Sequence, residues 1–310
     1  MKDMAGLLEC NSGTRIEVPS IVTDEEIDFY IENGYLVVAG LMESAEIEEL
    51  RDEAIAIARG VYPHRAIEAL PAHWNEEEVL NSFLCVHQPH LISPVIERYV
   101  RHPRICGVLS QITAVHLPFW DGSVKCMQSL LFSKPPGFQG QAWHQDEFYI
   151  PTRDRSLVGA WIAMDDANVA NGCLRVIPGS QRNGYLYPQE PLRDPDEFDF
   201  APESYGFDES AEVPVEVKTG DAVFFNGYLL HRSLRNRSDR YRRAMVNHYC
   251  NAWSRLPWFV KEGESVASAD RRNIVPVAGI DPYAWMGLED PIVDVWLRTC
   301  KAGDERASRQ

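Results

Sequence analysis

The chain is 310 residues long, 45% hydrophobic and 25% charged, a balance that suits a water-soluble globular fold and excludes fibrous and low-complexity classes. Its 30 Lys and Arg face 46 Asp and Glu, a net charge of −16, which argues against a nucleic-acid partner while leaving room for a local basic pocket around a small anion. The seven cysteines are odd in number, scattered and without a CxxC pair, so no zinc ribbon or disulfide framework is expected and a cytoplasmic, reducing location fits.

Residues 1–21 read as a flexible lead-in without a signal-like apolar core, and no apolar run approaches the roughly 20 residues that cross a bilayer. Thr23-Asp24-Glu25-Glu26 has the form of a capping box, with Gly34 as the stop; Tyr35–Val38 is a short β-prone run. A second helix from Ser44 carries Ile47, Leu50, Ala54 and Ile57 at helical spacing as far as Gly60. Residues 61–118 read as mostly helical, with starts at Asn75 and Ser93, and His87 and His90 are expected in a loop or cap because Pro89 separates them.

After Asp121-Gly122 the texture changes to β-prone runs at 124–132, 142–150, 157–164, 173–178, 213–218, 222–230 and 243–249, separated by turn signals such as KPPG, PGS and KTGD. Such a succession predicts a jelly roll or related barrel. Residues 185–210, rich in Pro, Asp and Glu, form a long insertion of the kind that often covers a site. The expected organisation is one domain over 22–300: a mainly helical flank (22–120), a jelly-roll core (121–250) and a C-terminal extension (251–300), with 301–310 loose.

Within this β-rich half, Trp143-His144-Gln145-Asp146-Glu147-Phe148 offers an imidazole and a carboxylate at i and i+2, which share a face on a strand. His231, at the far end of the run that begins at Ala222, can supply a third ligand. Two His and one carboxylate leave three positions open on octahedral Fe(II). Arg242 follows eleven residues after His231, and its guanidinium suits the distal carboxylate of a dicarboxylic acid. If it points inward, Ala244, Val246 and His248 do too; Arg240 and Arg243 are expected to be a solvated basic turn.

Taken together, Lys134-Pro135-Pro136-Gly137, His144-Gln145-Asp146, Trp161-Ile162-Ala163, Asn171-Gly172-Cys173-Leu174, Pro178-Gly179-Ser180, Gly220-Asp221, and His231-x-Ser233 with Arg242 resemble the phytanoyl-CoA dioxygenase family of Fe(II)/2-oxoglutarate oxygenases, in order and spacing over about residues 22–250. The resemblance implies an α+β fold with a mainly β core, a double-stranded β-helix (jelly roll, cupin-like) flanked by helices from the N-terminal part. It implies that His144, Asp146 and His231 hold iron, and that Arg242 with Ser233 binds 2-oxoglutarate beside Trp161, Leu130 and Gln128. Gln145, Phe148, Trp143 and His248 are expected near the substrate pocket. Dioxygen is the further co-substrate, and a small-molecule metabolite is oxidised at a C–H bond as 2-oxoglutarate yields succinate and CO2. Related halogenases carry a small residue in place of the carboxylate; with Asp146 present, hydroxylation or another two-electron oxidation is implied. A cupin-like metal enzyme without 2-oxoglutarate and a non-catalytic binding relative are the competing readings. The first leaves Arg242 without a task, and the second leaves four costly polar groups buried without a partner. Oligomeric state is not legible.

Overall fold

The computed structural model describes residues 14–199, 201–255, 274–288 and 294–300. The jelly roll starts from alternation. Along β5 (Val158–Ala163) and β12 (Arg242–Asn251), side chains point by turns outward to the helices and inward between the sheets. Outward-facing Ile162 and Met245 pack with Phe224 and Leu131 against one hydrophobic core, whereas inward-facing Trp161, Ala163, Ala244 and Val246 belong to a second. Both faces are therefore buried, and burying one such large aliphatic side chain is worth about 1.5–3 kcal/mol.

The helices that cover the outer face are α1 (Asp24–Asn33), α2 (Ser44–Ala58), α3 (Glu76–Leu80), α4 (Pro94–Val100) and α5 (Pro103–Ile112). Helix α1 begins with a full capping box, Thr23 Oγ1 accepting from the Glu26 N–H and Glu26 Oε2 from the Thr23 N–H. It ends at Gly34, whose φ of 79° allows the left-handed turn that returns its N–H to the Tyr30 carbonyl. Ile47, Leu50 and Ile57 of α2 meet Ile96 of α4 and Ile105 and Leu109 of α5 in the outer core.

The larger sheet has the order β1-β10-β5-β12-β3-β2-β14, all neighbours antiparallel, with β13 (Val275–Ala278) also pairing β3. Its remaining members are β1 (Tyr35–Val38), β2 (Phe83–His87), β3 (Val124–Lys134), β10 (Ala222–Asn226) and β14 (Trp296–Thr299). The smaller sheet, β4-β11-β6-β9, faces it with β4 (Gln141–His144), β6 (Leu174–Val176), β9 (Val213–Val215) and β11 (His231–Ser233). No helix among the described residues is long and apolar enough to cross a membrane.

Four expectations are corrected. The run 142–150 is a strand only as far as His144; Asp146–Phe148 is a 3-10 turn, closed by the Phe148 N–H to Gln145 O at 3.1 Å and Tyr149 N–H to Asp146 O at 2.9 Å. The run 222–230 is a strand only as far as Asn226, and the next strand, in the other sheet, starts at His231. Asn226 Oδ1 accepts from the Tyr228 N–H where the first strand ends. His87 lies on β2 instead of in a loop, stacked on Trp296 at 3.8 Å between centroids. A strand buried on both faces shows no alternation, which conceals it in a region of helical texture. Finally, Arg243 is no solvated turn residue: its guanidinium grips Asp165 through two bonds of 2.8 Å, while Arg240 is exposed.

The insertion carries a small hairpin, β7 (Gln189–Glu190) with β8 (Glu203–Ser204). Its Asp199 accepts from Arg298 of β14 at 2.7 Å, tying it to the C-terminal strand. The described cysteines are free thiols, five of them buried.

Candidate metal and co-substrate site

His144 ends β4 and His231 opens β11, and the two are register partners across the smaller sheet, their rings 4.1 Å apart. Each ring turns Nδ1 back to its own chain: His144 Nδ1 lies 2.8 Å from Ala142 O and His231 Nδ1 3.0 Å from Leu229 O. A carbonyl oxygen only accepts, so both Nδ1 atoms carry a proton, and in the neutral ring each Nε2 is the lone pair that can bind a metal. Burial, reinforced by His231, pulls the His144 imidazole down to about 3, so it is neutral at ordinary pH.

The 3-10 turn brings Asp146 to the same point. Its Oδ1 lies 3.6 Å from His144 Nε2 and 3.6 Å from His231 Nε2. Burial alone would raise its carboxyl, but His231 and His248 outweigh it and hold the group well below the usual carboxylate range. The three ligand atoms lie within 4.8 Å of one another. Three electron-pair donors aimed at one buried point repel unless a cation stands among them, so the residues fit a metal ion; two imidazoles and one carboxylate suit Fe(II).

The inner wall of the larger sheet supplies the opposite charge. Residues directly paired across strands share a face, which gives rows from one end to the other: Arg242 with Lys134, Ala244 with Phe132 and Ala163, Val246 with Leu130 and Trp161, and His248 with Gln128 and Gly159. Arg242 is buried, donates from Nη1 to Gly172 O at 3.0 Å, and lies 5.6 Å from the Trp161 ring centre, while its Nε finds no acceptor. Burial draws the guanidinium down to about 10, still a cation at neutral pH.

Lys134 is the residue that sequence reasoning passed over. Its Nζ donates to Leu234 O and lies 3.4 Å from Ser233 Oγ. Burial, then Arg242 beside it, lowers its ammonium well below the ordinary value, against the pull of Glu197 and Asp199. Gly172 makes this approach possible, because a Cβ there would sit 2.8 Å from Lys134 Nζ and 2.3 Å from Leu234 O. Among the described residues neither Arg242 nor Lys134 has a carboxylate within ion-pair distance. A buried guanidinium with an unfilled N–H and a buried amine beside it fit a bound carboxylate. The signal lay in the pairing of Lys134 with Arg242, which only the register of β3 and β12 reveals.

The other expected pocket residues divide. Gln128 and Leu130 stand on the inner wall, and His248 Nε2 lies 2.9 Å from Asp146 Oδ2. Phe148 is half-exposed and packs edge-on against Tyr149 at 5.4 Å. Trp143 points the other way, as alternation with His144 requires: its Nε1 donates to Glu209 at 2.9 Å and Arg232 lies over its ring at 4.5 Å. Gln145 is taken up by backbone, donating to Tyr185 O and Tyr228 O and accepting from the Tyr187 N–H at 2.7 Å, and so pins the insertion to the barrel. Trp143 and Gln145 therefore leave the pocket for the layer beneath the insertion.

A jelly roll that offers two imidazoles and one carboxylate at one end of its inner face and an unpaired guanidinium with a buried amine at the other is the architecture of a non-haem iron oxygenase. Known proteins agree. The sequence pattern of phytanoyl-CoA dioxygenase (PhyH) matches residues 30–244. Phytanoyl-CoA dioxygenase 1 of Oryza sativa subsp. japonica is 28% identical over 275 residues, covering 78% of this chain and 95% of its own. The peroxisomal phytanoyl-CoA dioxygenase of Homo sapiens is 28% identical over 293 residues, covering 90% and 81%. Among solved structures, the epimerase SnoN in complex with Fe3+, alpha ketoglutarate and nogalamycin RO superposes with a TM-score of 0.58 at 18% identity, covering 90% of this chain and 98% of that one. The carbocyclase SnoK superposes at 0.59 and 20% identity, covering 83% and 97%; these likenesses bear on the fold. The chain belongs to the phytanoyl-CoA dioxygenase family, and with it to the iron- and 2-oxoglutarate-dependent dioxygenases.

Proposed function

We propose that the protein hydroxylates, or otherwise oxidises by two electrons, an unactivated C–H bond of a small-molecule metabolite, with His144, Asp146 and His231 holding Fe(II) and Arg242 holding the distal carboxylate of 2-oxoglutarate. The observation that carries this reading is the pair of Nε2 atoms facing Asp146 Oδ1 at 3.6 Å. Iron, 2-oxoglutarate and dioxygen together supply the oxidant, and 2-oxoglutarate leaves as succinate and CO2. The chain's own work is orientation. Arg242, with Lys134 and Ser233 beside it, fixes the far end of the co-substrate, while Trp161, Leu130 and Val246 form the apolar wall that excludes water.

The presence of Asp146 favours hydroxylation over halogenation. For the substrate, three arginines around the insertion that are already neutralised favour a compound without the phosphates of a coenzyme A ester. Arg193 pairs with Glu203, Arg232 with Glu209 and Glu212, and Arg237 with Glu197, so each already has a carboxylate. The test is a screen of small hydroxylatable metabolites and acyl-CoA esters with Fe(II), 2-oxoglutarate and 18O2, reading succinate and product mass together. The reading expects a metabolite that gains one 18O atom, or loses two hydrogens, per succinate formed. Turnover confined to acyl-CoA esters would overturn the substrate class.

A further inference from the structure

The two oxygens of Asp146 are divided between the sheets. Oδ1 faces the two histidines of the smaller sheet, while Oδ2 lies 2.9 Å from Nε2 of His248, which stands on β12 of the larger one. A carboxylate at ordinary pH only accepts, so His248 Nε2 carries the proton and donates. Its ring is buried, 5% exposed, and Nδ1 has no partner among the described residues. The bond to Asp146 is thus the polar contact that holds this imidazole, and a polar ring buried for a single bond is costly unless the bond has a task.

The task follows from the number of open positions. A carboxylate with both oxygens free can chelate a metal through both, which fills one of the three positions that 2-oxoglutarate and dioxygen need. We propose that His248 is a positioning residue that occupies Oδ2, holds Oδ1 towards the two histidines, keeps Asp146 a one-oxygen ligand and so preserves the third open position; its loss costs affinity through the lost orientation and changes coordination through the freed oxygen. This rests on the reading that His144, Asp146 and His231 hold iron. His248 touches neither the metal nor the co-substrate in this role; it acts through Asp146.

The experiment uses Co(II) as the probe, with affinity read by calorimetry and coordination by the visible d–d spectrum of the whole protein. His248→Phe removes the donor and keeps a ring; His248→Gln keeps an N–H. His248→Phe is expected to weaken Co(II) binding by about 10–100-fold, the usual cost of removing a group that orients a ligand, and to alter the d–d spectrum. His248→Gln should recover most of the affinity. In an Asp146→Ala background, His248→Phe should cost nothing further, because the group it acts through is gone. If His248→Phe does not fold, His248→Asn, whose shorter amide falls short of Oδ2, takes its place. Wild-type affinity and spectrum in His248→Phe, or an equal loss with and without Asp146, would overturn the proposal. Failure of the wild type to bind Co(II) would instead sink the iron-site reading on which it stands.

Discussion

The two ends of the barrel's inner face make opposite demands. At the metal end three donor atoms converge on one point, both imidazoles turning Nδ1 back to their own chain. At the far end a buried guanidinium and a buried amine keep N–H groups that no carboxylate among the described residues receives. One end lacks a cation and the other an anion, and the apolar row of Trp161, Val246 and Leu130 lies between them. A molecule that coordinates a metal at one end and carries a carboxylate at the other satisfies both, which is the outline of 2-oxoglutarate. The difference teaches that the missing ligand can be read from unmet valence in the protein.

The contrast is broken most completely at the metal end. Asp146→Ala should weaken Co(II) binding by more than the ~10–100-fold typical of losing a supporting residue, because the ligand itself is removed; calorimetry checks this, and undiminished affinity would contradict it. At the other end, Arg242→Met should leave metal affinity intact while weakening 2-oxoglutarate by about 30-fold or more, in line with ~2–5 kcal/mol for truncating one side of a buried charge pair. Lys134→Met should cost less, about tenfold, and should narrow the preference for 2-oxoglutarate over 2-oxobutyrate, which has no distal carboxylate. An unchanged preference would return Lys134 to a structural role.

Buried neutral imidazoles outside the metal-ligand set govern the response to acid. Burial lowers His87 to about 3 and His90 to about 4, and His90 Nδ1 shares a 2.6 Å hydrogen bond with Ser129. Both folded values lie below the unfolded value of 6.5, so the unfolded chain takes up protons first as pH falls. Their stabilisation is present above about pH 6.5 and is lost as pH drops towards the folded values, by about 2 kcal/mol each at pH 5. Melting temperature should therefore fall between pH 7 and 5, and less steeply in His90→Gln; parallel curves would contradict this. The smallest effect is expected on the surface, where Thr23→Ala removes one half of the α1 capping box and should cost about 1 kcal/mol in denaturant unfolding.

The same contrast marks what was legible in the sequence. The metal end was, because His144 and Asp146 lie two residues apart and His231 stands near a strand end, although the means differ. A strand would have put His144 and Asp146 on one face by alternation; the chain instead ends the strand at His144 and swings Asp146 in on a 3-10 turn. The cation end was half legible. Arg242 and the inward set of Ala244, Val246 and His248 follow from alternation along one strand, but the placing of Lys134 beside Arg242 depends on register between strands more than a hundred residues apart. Trp143 was misplaced although the alternation that seats His144 inward sends its neighbour outward. Strand β2 was hidden because burial on both faces erases the period of two.

The most direct measurement is an anaerobic titration of the purified protein with Fe(II) and then 2-oxoglutarate, followed by visible absorption, with Asp146→Ala and Arg242→Met beside it. The account expects a weak metal-to-ligand charge-transfer band in the wild type that requires both additions, is lost in Asp146→Ala and needs far more 2-oxoglutarate in Arg242→Met. Iron binding without such a band would contradict an inner face shaped for this co-substrate, and no iron binding at all would contradict the account at its centre.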